Sequence, residues 1–131
     1  MWEPKLGRLG VDMNVLIVES RPELGAIWCR HLERMGMCVH QVADQSAAVT
    51  YLEDNAPEII LLDLVLREGS ALAVADFASY RHPKARVIFV TATSFFSDGS
   101  IFAHASNACA ILPAGTRPED LAAMVEHYAG T

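Results

Sequence analysis

Three short apolar runs in this 131-residue sequence stop abruptly on oxygen-bearing side chains. Asn14-Val15-Leu16-Ile17-Val18 ends at Glu19 and Ser20, Glu58-Ile59-Ile60-Leu61-Leu62 ends at Asp63, and Val87-Ile88-Phe89-Val90 ends at Thr91. Brought together, carboxylates and hydroxyls are the groups of nucleophilic and hard-cation chemistry. Each also has a plain structural reading. Ser20 suits a helix N-cap, Asp63 a cap on the loop that follows it, and Thr91 the β-branched preference of a strand.

Which reading holds depends on the elements that place these residues. Apolar runs of this length, bounded by polar residues, predict buried parallel strands. Ser20, Pro22 and Glu23 form a helix start, and Leu24, Ile27, Trp28, Leu32 and Met35 recur at helical spacing until Gly36. Met37 to Val42 reads as a strand, and Asp44 caps a helix carrying Ala48, Tyr51 and Leu52 that Asn55 and Pro57 end. Gly69-Ser70 precedes a third helix with Leu72, Val74, Ala75 and Phe77, broken at His82-Pro83. A weaker helix from about Ser97 to Ala105 follows, then a strand from Ala108 to Leu112. Thr116, with Glu119 three residues on, opens a last helix whose Leu121, Met124, Val125 and Tyr128 share a face.

Residues 1–12 show no periodicity and read as a tail, leaving 13–131 as a single domain. Five strands alternating with five helices predict an α/β fold, a flavodoxin-like doubly wound (βα)5 sandwich with parallel strand order 2-1-3-4-5. In such sheets ligands bind beyond the carboxyl ends of the strands, where the winding reverses. Glu19, Ser20, Asp63 and Thr91 are expected to converge there.

Composition narrows the function classes. A hydrophobic share of 52% with 20% charged residues is that of a folded globular chain. The net charge of −6, with only Arg81, Lys84 and Arg86 clustered, excludes a nucleic-acid face. Cys29, Cys38 and Cys109 lack zinc-site spacing and read as buried thiols in a reducing cytoplasm. No apolar run approaches the roughly 18 residues of a membrane span, and no secretion signal opens the chain, so a soluble cytoplasmic protein is expected.

Leu61-Leu62-Asp63-Leu64-Val65-Leu66-Arg67-Glu68-Gly69-Ser70 resembles the acceptor strand and following loop of the response-regulator receiver domains of two-component signalling. Val90-Thr91-Ala92 is similar to their switch strand, and Leu112-Pro113 stands where they carry lysine and proline. The similarity spans roughly residues 14 to 128. It implies a phosphorelay protein, not an enzyme beyond its own phosphoryl transfer and dephosphorylation. Asp63 would accept the phosphoryl group from a sensor histidine kinase or phosphotransfer protein, and Thr91 would switch. Mg2+ would be held by Glu19, Asp63 and the backbone carbonyl of Val65. Because the sequence stops after its last helix, output by contact with a downstream protein target is expected. Ile101, Phe102 and Tyr128 on the last two helices are candidates for a homodimer surface, against a core role.

Several family positions are altered. Ser20 replaces the second of two aspartates, Leu112 the lysine, and Cys109 or Ala110 an aromatic ring, for which Phe95 and Phe96 are the nearest substitutes. Arg67 and Ala71 change the loop after Asp63. A weakened magnesium site is expected, with Arg67 or Lys84 as candidates to replace the lysine charge. The alternative is a pseudo-receiver that docks a protein partner without phosphorylation. Enzymes on similar sandwiches fit less well. A dehalogenase-like phosphatase has an aspartate where Val65 stands, and a flavodoxin binds phosphate where Glu19-Ser20-Arg21-Pro22 places a carboxylate.

Overall fold

Each apolar run becomes a strand. The computed structural model describes residues 13–92 and 105–129. In chain order these form β1 (Asn14–Val18), α1 (Pro22–Arg34), β2 (Cys38–Val42), α2 (Gln45–Asp54), β3 (Ile59–Asp63), α3 (Ala71–Arg81), β4 (Arg86–Thr91), β5 (Ala108–Pro113) and α4 (Pro118–Ala129). The strands make one sheet in the order β2-β1-β3-β4-β5, every pair parallel. The expected tail, the helix expected from Ser97, and Phe95, Phe96, Ile101 and Phe102 lie outside the described residues.

Alternation along the strands divides the core into two layers. Leu16, Val18, Ile60, Leu62, Val87 and Phe89 face α2 and α3, packing on Leu52, Val74 and Ala78. Val15, Ile17, Ile59, Leu61, Ile88 and Val90 face the other way, onto Trp28 and Leu32 of α1 and Leu121 and Val125 of α4. Both faces of β1 and β3 are thus covered, which is why their sequences are apolar throughout. Tyr128 and Met124 are partly buried and pack against the second layer.

Local signals succeed where they match the backbone. Asp44 caps α2 by accepting from the Ala47 N–H at 2.9 Å, and Ser70 caps α3 by accepting from Ala73 at 3.2 Å. Gly36 and Gly69, at φ of 89° and 96°, turn the chain after α1 and before α3 through a conformation that other residues rarely adopt.

Three local readings are corrected. Ser20 is not the cap of α1; Arg21 holds that position without a side-chain cap bond. Thr116 donates to the Pro113 carbonyl at 2.7 Å, closing a turn, and α4 starts only at Pro118. Leu72 is exposed, because the buried face of α3 runs through Ala71, Val74, Ala75 and Ala78.

Candidate functional site

Glu19 follows β1 directly, held in line with the sheet by its N–H donating to the Val42 carbonyl at 3.0 Å. Asp63 is the last residue of β3, in register with Val90, and Thr91 is the last of β4. The expected convergence is therefore realised at the carboxyl edge of the three central strands. These three are the buried polar residues among those described: Glu19 is 0% exposed, Asp63 7% and Thr91 6%. Such groups are rare in a core unless bonded or put to use.

The two Asp63 oxygens face different surroundings. Oδ1 accepts from the Val65 N–H at 3.1 Å, which is the loop-capping role foreseen as the plain reading. Oδ2 lies 4.0 Å from the Arg21 Nη2. Arg21 is itself clamped, because the Glu19 Oε2 accepts both its backbone N–H at 2.9 Å and its Nε at 3.0 Å. The remaining Glu19 oxygen, Oε1, is buried without a hydrogen-bond partner among the described residues.

Burial pushes the Asp63 carboxyl up to about 6, and the neighbouring Glu19 carboxylate adds to the rise. The Val65 N–H and, more weakly, the Arg21 charge pull it back. On Arg21 the Glu19 hydrogen bond raises an already high pKa, so the guanidinium is a permanent cation. It is 46% exposed, open to solvent on one side while tethered on the other.

Glu19, Ser20, Arg21, Asp63, Val65, Leu66, Arg67 and Ala92 line an open cleft of about 400 Å3. Ser20 takes part as a brace. Its hydroxyl donates to the Ala43 carbonyl at 3.0 Å and accepts from the Arg67 N–H at 2.8 Å, tying two loops together. Gln45 adds a second tie, its Oε1 accepting from the Ser70 N–H at 2.8 Å.

Among the charges proposed to stand in for the missing lysine, Arg67 reaches the cleft and Lys84 does not. Lys84 lines a separate cavity with Glu58, Arg86 and Asn107 at the opposite edge of the sheet. Leu112 pairs with Val90 and packs on the α1 and α4 layer, so the lysine position is apolar. Cys109 falls at a register irregularity in β5 opposite Val87 and Ile88, half-buried, where burial raises its thiol pKa. Cys29 is half-buried too, whereas Cys38 on the edge strand β2 is exposed, against the expected burial of all three. Arg21 was not singled out from the sequence. The signal available was a basic residue directly after Glu19-Ser20 and before a proline that forces the helix to start there.

The carboxylates offer few free ligands to a divalent cation. Glu19 is occupied by Arg21 on one oxygen, Ser20 has both its donor and its acceptor engaged, and no cluster of three metal-binding side chains occurs among the described residues. A permanent guanidinium beside both Glu19 and Asp63 opposes a divalent cation, so the donors at Glu19, Asp63 and Val65 make a poor magnesium site.

Comparison with known proteins agrees with the architecture. A response regulator receiver domain from Methanospirillum hungatei superposes with a TM-score of 0.81 at 20% identity, covering 90% of this chain and 94% of that one. A Burkholderia pseudomallei response regulator, solved with a phosphorylated aspartic acid and a calcium ion, gives 0.78 at 24% identity over 91% of this chain and 69% of that one. The receiver domain of a Pseudomonas aeruginosa sensor histidine kinase, with magnesium in its active site cleft, gives 0.78 at 20% identity over 91% and 98%. In sequence, the chain is 28% identical over 91 residues to the photosynthetic apparatus regulatory protein RegA of Rhodobacter capsulatus, spanning 70% of this chain and only 50% of RegA. The family profile of the response regulator receiver domain matches residues 15–126, from the first buried strand to the last helix and across the whole cleft. With that match and this topology, the chain belongs to the response regulator receiver domain family of two-component signalling.

Proposed function

We propose that Asp63 is the phosphoryl acceptor of this receiver domain. The observation that carries the reading is the division of labour on its carboxylate: Val65 fixes Oδ1, while Oδ2 faces a clamped guanidinium in an open cleft. A nucleophile needs one oriented, unprotonated oxygen, and an in-line phosphoryl transfer needs positioning and charge neutralisation more than covalent chemistry. With a pKa of about 6, Asp63 is mostly ionised at neutral pH.

In the transfer, an Asp63 oxygen forms a bond to phosphorus as the P–N bond of a partner's phosphohistidine breaks. The imidazole leaves with the electron pair and takes up a proton, and an acyl phosphate remains on Asp63. Thr91, buried one residue beyond the Asp63 register partner, would answer the new charge with its hydroxyl and bias the packing beside β4. A histidine kinase or phosphotransfer protein would supply the phosphoryl group, and a downstream protein would read the altered surface, in the cytoplasm. None of the helices among the described residues is long and apolar enough to cross a membrane.

The test is incubation with a phosphorylated histidine kinase, followed by a search for an acid-stable, base-labile phosphate. Wild type is expected to take up one phosphate and Asp63→Asn none. Equal labelling of both proteins would exclude Asp63.

A further inference from the structure

We infer that Arg21 is the resident counter-charge of the cleft, holding the place of a divalent cation, so that Asp63 accepts a phosphoryl group without metal. This rests on the reading of Asp63 as the acceptor, but the assignment of Arg21 stands on its own contacts.

The first of these is the clamp. Two hydrogen bonds to one Glu19 oxygen, from the Arg21 backbone and its Nε, close a ring that fixes the start of the side chain and aims Nη2 at Asp63. Glu19 is fully buried, so it has no other cation to turn to among the described residues. A metal seeking Oε2 would have to displace both bonds, and one meeting the unpartnered Oε1 would stand beside the fixed guanidinium. The second is the distance to Asp63. At 4.0 Å, Nη2 is too far for a direct hydrogen bond but well within the range of strong charge attraction. The carboxylate is therefore neutralised without its oxygen being covered. A guanidinium also carries donors in a planar fork matched to phosphoryl oxygens, which a metal-poor site lacks elsewhere.

The remaining candidates make no such contact with the two carboxylates. Leu112 offers no charge, and Lys84 lies at the other edge of the sheet. Arg67 lines the cleft from an exposed loop position, but it is its backbone N–H that is engaged, donating to the Ser20 hydroxyl, and its side chain pairs with neither carboxylate. Ser20, the position where a second carboxylate would recruit a cation, is engaged by Ala43 and Arg67. Two carboxylates facing one fixed guanidinium leave a single net negative charge, so a divalent ion is drawn in weakly.

Two measurements on the intact protein decide it. Mn2+ is titrated into wild type, Arg21→Gln and Arg21→Lys, with free ion followed by electron paramagnetic resonance. Arg21→Gln is expected to bind Mn2+ at least about tenfold more tightly than wild type, the effect of removing one opposing charge at this range, and Arg21→Lys to stay close to wild type. Separately, wild type is given acetyl phosphate with Mg2+ or with EDTA. The Asp63 oxygen bonds to phosphorus as the donor P–O bond breaks, and acetate leaves with the electron pair. Equal uptake in both buffers is expected, with Arg21→Gln dependent on Mg2+. Equal Mn2+ affinity in wild type and Arg21→Gln, or loss of wild-type uptake in EDTA, overturns the assignment. If no protein is labelled in any buffer, the acceptor reading fails while the Mn2+ series still decides the place of Arg21.

Discussion

The two edges of the sheet carry similar residues and use them in opposite ways. The amino edge has the larger cavity, about 580 Å3, with Glu58, Lys84, Arg86 and Asn107 around it. There the polar groups close the backbone. The Glu58 side chain accepts from the Asn14 N–H, its carbonyl accepts from Arg86, and the Asn107 side chain donates to the Ala75 carbonyl. The carboxyl edge has a smaller cleft of about 400 Å3, yet it contains two buried carboxylates close enough to raise the pKa of one of them. Cavity size does not locate the chemistry. Buried like charge does, because a fold keeps such groups together only where something else is gained from them.

The largest contrast between the edges should appear on neutralising Asp63. Asp63→Asn is expected to abolish phosphoryl uptake and, at pH 7, to raise stability by roughly 2–3 kcal/mol, the equivalent of a carboxyl moved from its ordinary value to about 6. Because the folded state holds this proton more tightly than the unfolded chain, wild-type stability falls as pH rises from about 4 to about 6 and stays lowered above. Urea melts across this window check the sign: the advantage of Asp63→Asn should vanish near pH 3. A constant advantage at all pH values would mean that the carboxyl is not strained by burial.

Much of this contrast was legible in the residues. Apolar runs ending at Glu19, Asp63 and Thr91 imply both the strands and the edge at which they meet, because buried parallel strands leave little freedom in pattern or direction. Asp44 was readable as a cap for the same local reason, and Ser70 was readable as standing before a helix, its capping bond appearing only in the structure. Ser20 and Arg21 were not. A serine before a proline reads as a cap, and only tertiary structure brings Ala43 and Arg67 against its hydroxyl. Arg21 has a flexible side chain whose direction is set by a hydrogen bond to Glu19, which periodicity cannot show. Lys84 failed as a candidate because its place in sequence, just before β4, puts it at the amino edge.

An intermediate effect is expected from Ser20→Ala. Losing two loop-tying bonds should cost about 1–2 kcal/mol, and the same size of loss would follow if the serine were a helix cap. Amide hydrogen exchange separates these: protection should fall at Arg67, whose N–H loses its acceptor, and not at the first turn of α1. Faster exchange confined to α1 would restore the cap reading.

The smallest effects belong to the amino edge. Glu58→Ala removes the acceptor of the Asn14 N–H at an exposed position, so a cost near 1 kcal/mol is expected in a denaturant melt. Lys84→Ala, exposed and remote from Asp63, should change stability by no more than about 0.5 kcal/mol. Neither substitution should alter the rate at which Asp63 takes up phosphate from a small donor, because no charge at this edge faces the cleft. A slowed rate in Lys84→Ala with an unchanged melt would show that the two edges communicate through β4, the strand that begins beside Lys84 and ends at Thr91.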